Sequence, residues 1–514
     1  MTGIAKYRWM AAAMTMSMLV ACGGGSGQSN ATKTGGAAVV AQGVDPTTMD
    51  PDQQRETTTV NVLRHLYDPL VERDPKNPTN FRGVLAISWL QVNPTTLRFK
   101  LHSNVKFTDG KTFDAQTVKY NFDRVLGNLP GGHPTLNAYL YPTVDHAAVV
   151  DASSVDIVTK APDPILLARL TDLLIIPTGS VDSDPNALGG NPDGTGPYSL
   201  VRWDRNNQVV LRAKPDYFLG AAKIALVTFK TMPDASSRLA ALQAGTVDII
   251  TNVPPDNIAD AESGGKATVK SVPSDRVAGV WLDTLTSPAL GKQDVREALN
   301  YAVDVDTIIK TVLGGYALRT ATIVPPYFTG YNPDVKPFSY DPAKAKALLT
   351  QAGYPNGLTI HMMLPRGRYL LGEEIVQAIA GYLQKVGVQV KIDDVEFGVF
   401  AKATQTRKIQ DTFYAAYGES FLDAAAIMQV TVVTGTKGFS WYSNPAVDQD
   451  VAQASATADQ AKHVKLLQDA QMQLRENPAF IYLFAYKDLY GVSKRINWQP
   501  RTDELIDLYD ASVK

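Results

Sequence analysis

The sequence predicts an α/β protein of more than one domain, and three observations support that fold class. Its 514 residues exceed what a single hydrophobic core ordinarily holds. In the first half, segment 97–126 predicts strands, a turn and a capped helix. From residue 294 onward helices and strands alternate, and the strand–helix–strand pattern over 358–392 implies parallel pairing with a right-handed crossover.

Segment 97–126 shows how this prediction is made. Apolar and charged residues alternate over 97–101, as in a half-buried strand, and Val105 and Phe107 repeat the pattern after a short break. Asp109 and Gly110 then supply a turn. Asp114 is placed to cap the following helix, whose apolar residues share one face.

The remaining elements of the first half follow from similar signals. We expect a first strand at 39–44 and a helix at 58–65. A helix capped by Asp234 should end at Gly245, because glycine is the residue most often found just past a helix end. A strand at 277–282 should carry the chain out of the first part of the protein.

The second half continues with alternating helices and strands. Asp341 followed by proline predicts a helix start, and Gly353 its end. Strands are expected at 358–362 and 388–392 with a helix between them. The buried-looking strand 480–486 should return the chain to the first part.

The composition is that of a globular protein, with 45% hydrophobic and 19% charged residues. The formal net charge of −2 argues against nucleic acid or an anionic membrane surface as a partner, because proteins that bind them usually carry a basic excess. After the N-terminal leader, no segment has the roughly 18 uninterrupted apolar residues that a membrane helix requires.

The N-terminus predicts an export signal that ends at the only cysteine. A basic start and a short apolar run are typical of a signal peptide, which we assign to residues 1–21. The small residues before Cys22 resemble a bacterial lipobox, so cleavage would leave a lipidated Cys22. A Gly/Ser-rich tether, 22–37, would then hold the protein at the membrane by its lipid alone. A chance cysteine at an ordinary cleavage site is the alternative.

Seven separated motifs occur in a fixed order along the chain. They are LAxSW at 85–89, VKFxDG at 105–110, FxAxxVKY at 113–120, GTGPY at 194–198, VREALNYA at 295–302, YDPxKAxxLLxxAGY at 340–354 and YSNPxVD at 442–448. Together they resemble the signature of family 5 extracellular solute-binding proteins. These are the peptide and nickel receptors of bacterial ABC importers.

The resemblance implies a two-lobed periplasmic-binding-protein fold of type II, in the large peptide-receptor variant with an extra subdomain in lobe I. The expected parts are lobe I at 38–85, 193–280 and 484–514, the inserted subdomain at 86–192, and lobe II at 281–483. Two strands near 277–283 and 480–492 should connect the lobes, which would close over a solute by a hinge motion.

The function implied is that of a receptor anchored at the outer face of the cell membrane. It would capture an oligopeptide or peptide-like solute and deliver it to an ABC importer permease, as a monomer. No catalytic residue, metal site or cofactor is predicted, since the sequence contains no Gly-x-Ser-x-Gly elbow and no His-Glu-x-x-His motif. The alternatives are a receptor for another solute, such as a nickel chelate or a sugar, a receptor used for signalling, and a secreted hydrolase with an unrecognised site.

Peptide receptors of the family hold the peptide amino group with an acidic residue in a Gly-Trp-x-x-Asp-like segment. Segment 416–423, AYGESFLD, resembles it, with Glu419 in place of the usual aspartate. The resemblance therefore points to Glu419, and next to Asp423, as the anchor for a cationic group. Both can equally be ordinary loop or cap residues.

Further candidates come from position and chemistry. Arg366 and Arg368 follow a predicted strand near a helix start, where ligands gather in open α/β sheets, and an arginine there can bind a carboxylate. Solvated loop arginines are equally natural. Trp441 can stack on a ligand or fill the core. The resemblance adds three residues where peptide receptors contact the ligand main chain: Arg55, Glu56 and Thr57.

Overall fold

The computed structural model describes residues 35–133, 137, 140–436 and 438–514. The predicted signal peptide and Cys22 lie outside the described residues. The described strands are β1 (Ala37–Gln42), β2 (Val71–Asp74), β3 (Asn77–Gly83), β4 (Ala86–Asn93), β5 (Thr96–Leu101), β6 (Val144–Asp151), β7 (Ser154–Thr159), β8 (Tyr198–Asp204), β9 (Gln208–Ala213), β10 (Leu226–Thr231), β11 (Ile249–Ile250), β12 (Ala267–Leu282), β13 (Ala317–Arg319), β14 (Leu358–Pro365), β15 (Val388–Val395), β16 (Thr412–Gly418), β17 (Phe480–Ser493), β18 (Ile496–Asn497) and β19 (Ser512–Val513).

The described α-helices are α1 (Thr57–Leu66), α2 (Ala115–Val125), α3 (Leu166–Leu170), α4 (Ala235–Ala244), α5 (Ile258–Glu262), α6 (Gln293–Ala302), α7 (Val305–Thr311), α8 (Pro342–Gln351), α9 (Gly372–Gln384), α10 (Phe397–Gln405), α11 (Ala424–Thr431), α12 (Pro445–Ser455) and α13 (Gln460–Glu476). Short 3₁₀ helices lie at Ala187–Gly189 and Pro255–Asn257.

One 11-stranded mixed sheet organises the protein, in the order β15-β14-β16-β12-β17-β11-β1-β10-β9-β8 with β13 also paired to β17. The two longest strands, β12 with 16 residues and β17 with 14, run antiparallel at its centre. Their register breaks between Pro273 and Val277. On one side of this break the strands pair within the first part of the sheet, and on the other side within the second.

The apolar residues form separate cores on the two sides of the break. We call the part packed around β1, β8, β9, β10 and β11 lobe I, and the part around β14, β15 and β16 lobe II. In the core of lobe II, Trp281 stacks on Phe413 at a ring distance of 5.5 Å and meets Phe480 edge-on at 4.9 Å. The predicted residue bounds of the lobes stay a prediction.

A four-stranded antiparallel sheet, β4-β5-β7-β6, packs with α2 around an apolar core of its own. Asp114 caps α2, and its carboxylate accepts the Thr117 amide at 2.8 Å, which confirms the predicted helix start. The expected strand through Val105 and Phe107 is wrong, because only a single bridge, Lys106 to Thr112, forms there. Two backbone hydrogen bonds flank this bridge, from the Phe107 amide to the Lys111 carbonyl and from the Phe113 amide to the Val105 carbonyl, both at 2.9 Å.

The second half confirms the predicted crossover. Strands β14 and β15 pair in parallel, with α9 between them in the chain. Gly245 ends α4 with φ 75°, a backbone conformation that favours glycine. The predicted strand 480–486 is longer than expected, since β17 continues without interruption to Ser493. Both central strands therefore run through the junction of the lobes.

Candidate functional site

A cavity of about 550 Å³ lies where the two lobes face each other. Its walls come from the start of α1, from β12 at its register break, from the loop after β16, and from the C-terminal segment after β18. Eight of its lining residues are charged, four of each sign. The arginines are Arg55, Arg64, Arg73 and Arg501, and the acids are Asp172, Asp275, Asp503 and Glu504. This volume includes space that is open to solvent.

The lobes contact each other around this cavity. The Arg55 guanidinium donates to the Ser420 hydroxyl at 2.9 Å, and Arg73 donates to the carbonyl of Phe421. The Phe421 ring lies in the apolar core of the inserted β-sheet subdomain, although its chain segment belongs to lobe II. At the far end, the Gln460 amide donates to the Pro164 carbonyl at 3.0 Å. The described structure thus joins the lobes through direct contacts around the cavity, an arrangement that we call closed.

Ion pairs hold several of the lining arginines in place. Asp172 pairs with Arg55 and lies 3.7 Å from Arg64, and Arg501 pairs with Asp503 at 2.6 Å. Burial favours protonation of Asp503, but the charge and hydrogen bonds of Arg501 hold the pKa of that carboxyl below its usual value. The side chains are therefore positioned before any solute arrives.

Two of the lining arginines have a hydrogen-bond donor without a partner. The Nε atoms of Arg64 and Arg73 are buried and have no hydrogen-bond partner among the described residues. Arg64 also lines two neighbouring cavities of lobe I, of about 550 and 700 Å³. An anionic solute group beside these guanidinium groups would satisfy donors that the fold leaves unpaired.

The opposite charge gathers where β12 and β17 cross. Asp275 and Asp488 belong to these strands, and Glu504 of the C-terminal segment lies 3.4 Å from Arg276. Burial, followed by repulsion from Glu504, raises the pKa of Asp488 to about 8. The same two causes raise the pKa of Asp275 well above its usual value. Asp275, Asp488 and Glu504 thus gather beside Arg276 at this crossing.

The structure places Glu419 close to this acidic group. It lies in the loop after β16, is 2% exposed, and its carboxylate accepts the Phe421 amide at 3.1 Å. Both carboxylate oxygens of Asp423 have partners within lobe II. One of its oxygens caps α11 through the Ala425 amide at 2.8 Å, and the other lies 3.1 Å from Nε2 of the buried His463.

Of the three predicted residues at the start of α1, two line the cavity and one caps the helix. Arg55 and Thr57 line the cavity. Glu56 is the N-cap of α1, and its carboxylate accepts the Thr59 amide at 3.1 Å. The structure therefore brings Arg55 and Thr57 together with Ser420, the neighbour of Glu419.

The other three predicted residues lie away from the cavity. Arg366 is largely exposed and pairs with Asp394 at 3.1 Å. Arg368 lies over the ring of Phe397 at 5.1 Å. Trp441 is 3% exposed in the core of lobe II, where its indole donates to the Gly438 carbonyl at 2.8 Å. This packing matches the core-filling alternative for Trp441.

Sequence reasoning missed most of the lining, because it comes from segments far apart in the chain. The missed charged residues are Arg64, Arg73, Asp172, Asp275, Arg501, Asp503 and Glu504. Asp275 stands between Ser274 and Arg276, and Asp488 follows Lys487, so neither acid stands out from its neighbours in the sequence.

The described part of the chain brings together no group of three or more histidine, cysteine, aspartate or glutamate side chains that could hold a metal ion. Every helix that the structure describes is too short or too polar to span a bilayer.

Comparison with known proteins gives matches over most of the chain. The family model "Bacterial extracellular solute-binding proteins, family 5 Middle" matches residues 80–439. The glutathione-binding protein GsiB of Pectobacterium atrosepticum is 28% identical over 491 residues, which are 93% of this chain and 94% of that protein. GsiB of Escherichia coli O1:K1 / APEC is 28% identical over 473 residues, 89% of this chain and 90% of that protein.

Solved structures show the same fold at lower identity. The substrate-binding protein CtaP of Listeria monocytogenes has a TM-score of 0.85 at 21% identity, covering 94% of this chain and 100% of that one. DppA of Helicobacter pylori in complex with the peptide STSA has a TM-score of 0.75 at 22% identity and covers 94% and 99%. NikZ of Campylobacter jejuni in complex with Ni(L-His) has a TM-score of 0.77 at 21% identity and covers 93% and 99%.

These findings confirm the predicted two-lobed fold and the predicted absence of enzymatic function, since the relatives are binding proteins. The family model spans well over half of the chain. The protein therefore belongs to the bacterial extracellular solute-binding proteins of family 5.

Proposed function

We propose that this protein captures a small zwitterionic, peptide-like solute between its lobes and delivers it to an ABC importer. The relatives named as glutathione-binding proteins support a solute of this class, and so does the fold shared with a peptide-bound DppA. We further propose that the protein acts as a monomer held at the cell surface by a lipid on Cys22, on the strength of the lipobox resemblance.

The observation that carries the proposal is the balance of charge around the interlobe cavity. Four arginines and four acids line one space of about 550 Å³. A solute that carries both an ammonium and a carboxylate can pair with both kinds of side chain when the lobes close. A solute without charged groups would offer no charged partner to the buried Nε donors of Arg64 and Arg73 or to the buried Oδ1 of Asp275, which have no partner among the described residues.

The arginine side of the cavity gives the direct test. Arg64→Gln removes a guanidinium whose Nε is buried and unpaired, while Asp172 keeps its ion pair with Arg55. Removing one partner of a buried charged contact costs roughly 2–5 kcal/mol, so affinity should fall about thirtyfold to several thousandfold. Arg366→Gln is the matched control, because that arginine is exposed and lies away from the cavity.

Calorimetry with glutathione, trialanine, nickel(II)–histidine and maltose compares wild type with both variants. We expect wild type and Arg366→Gln to bind at least one of the two peptides, and Arg64→Gln to bind it far more weakly. Binding of only the nickel complex or only the sugar would overturn the assignment of a peptide-like solute and leave the receptor assignment intact. Conversion of a peptide into products would favour the hydrolase alternative.

A further inference from the structure

We propose that Asp275, at the crossing of the two long strands, binds the ammonium group of the solute. The inference rests on the proposed function and deepens it. It places the cation anchor on the strand that joins the lobes, whereas the sequence pointed to the loop that holds Glu419. The solute would then bind at the point about which the lobes move.

The position of Asp275 carries the argument. It lies within the register break of β12, between Pro273 and Val277, and it lines the interlobe cavity. Only 7% of the residue is exposed, and its Oδ1 has no hydrogen-bond partner among the described residues. A buried carboxylate oxygen without a partner is rare in folded proteins, since it loses hydration and gains nothing in return.

The neighbouring strand packs closely against this carboxyl. Gly418, at the end of β16, lies directly against it, and a Cβ at that position would come within 2.9 Å of Asp275 Oδ1. A side chain at position 418 would therefore collide with the carboxyl in its present position. Ser420, two residues beyond this glycine, lines the same cavity as Asp275.

The charges that face Asp275 favour a cation. Glu504, Asp488 and Glu419 act on it from the C-terminal segment, from β17 and from the loop after β16. Arg276, the positive group that acts on Asp275 most strongly, makes its ion pair with Glu504 at 3.4 Å. Three neighbouring carboxyl groups thus act on Asp275 beside this guanidinium. Tyr327, whose hydroxyl donates to the Ser274 carbonyl beside this group, adds no positive charge.

The chemistry of an ammonium group suits this surrounding. It donates three hydrogen bonds and accepts none. Asp275, Glu504 and the Ser420 hydroxyl line the same cavity and supply acceptor oxygens from three separate segments. For the carboxylate of the same solute, the lining offers the Nε donors of Arg64 and Arg73, which have no hydrogen-bond partner among the described residues. A short peptide with free ends carries both groups.

Binding should also release a proton. Without a cation, burial and the carboxylate of Glu504 favour the protonated form of Asp275 by raising its pKa. An ammonium at Asp275 favours the ionised carboxylate, so the carboxyl proton passes to the buffer when the solute binds. A purely structural role for Asp275 predicts no such release.

The test combines a change in the protein with a change in the solute. Trialanine and N-acetyl-trialanine are titrated into wild type, Asp275→Asn and the control Asp234→Asn. Asp234 caps α4 at the surface of lobe I, and asparagine caps a helix equally well. We expect wild type and control to prefer the free amine by about thirtyfold or more, and Asp275→Asn to lose that preference.

A second measurement counts protons. Titrations in buffers of different ionisation enthalpy should show proton release with wild type and Asp234→Asn, and less release with Asp275→Asn. Circular dichroism shows whether Asp275→Asn folds. If it does not fold, the number of protons that the wild type releases on binding trialanine is the deciding measurement. Binding of trialanine to the wild type without proton release would overturn the inference.

The possible failures can be told apart. If wild type binds neither peptide, the proposed function is wrong and this inference falls with it. If wild type binds trialanine and Asp275→Asn keeps the preference for the free amine, only the inference is wrong. If Glu419→Gln loses the preference for trialanine over N-acetyl-trialanine and Asp275→Asn keeps it, the ammonium group binds at the loop after β16 instead.

Discussion

Phe421 should stabilise the closed arrangement of the lobes more than the fold of either lobe. It belongs to the loop after β16 in lobe II, but its ring is buried in the core of the inserted subdomain. The guanidinium groups of Arg55 and Arg169 lie 5.3 Å and 5.1 Å from its ring centre. Opening the lobes withdraws the ring from all of these contacts, so Phe421→Ala should act on closure.

The expected size of the effect follows from the burial. Only 2% of Phe421 is exposed. Replacing a buried phenylalanine by alanine costs about 3–5 kcal/mol. If this whole free-energy cost falls on the closed form, the equilibrium between closed and open forms shifts by roughly 100- to 4,000-fold toward the open form. The apparent affinity for a solute should fall with the closed fraction.

Phe113 provides a matched control. It is also 2% exposed and packs in the same apolar core, but it lies wholly within the inserted subdomain. Phe113→Ala should lower the melting temperature and leave the balance between open and closed forms unchanged.

Two measurements on the solute-free protein separate the effects. Small-angle X-ray scattering gives the radius of gyration, which reports the opening of the lobes, and calorimetry gives the melting temperature. We expect Phe421→Ala to expand with little loss of melting temperature, and Phe113→Ala to do the reverse. If Phe421→Ala scatters like wild type and melts as early as Phe113→Ala, the ring stabilises the fold and the reasoning is refuted.

Two further predictions concern the anchor and a buried ion pair. Cys22→Ala should move the protein from the membrane to the aqueous phase in a detergent-partitioning assay, and a variant that stays at the membrane would contradict the lipid anchor. Burial opposes the charged form of His463, but the hydrogen bond and charge of Asp423 raise its pKa above 6.5. The stability that this pair contributes is therefore present at low pH and is lost as the pH rises through the raised pKa. Melting curves should show that loss in wild type and not in His463→Gln.

The local pattern of the sequence determined most elements and the family. The alternation before Asp114, the capping carboxylates at Asp114 and Asp234, and the glycine at 245 act over a few residues, so they could be read from the chain directly. The expected strand at Val105 shows where this local reasoning fails, since only a single bridge, between Lys106 and Thr112, forms there.

The interlobe cavity was decided by tertiary structure alone. Its lining comes from α1, β12, the loop after β16 and the C-terminal segment, which are hundreds of residues apart in the chain. The sequence around Arg64 and Glu504 does not distinguish them from charged residues on the surface. The sequence around Trp441 does not show whether its ring fills the core or stacks on a ligand. Burial and the partners that folding supplies decide which side chains face the cavity, and no short stretch of sequence encodes them.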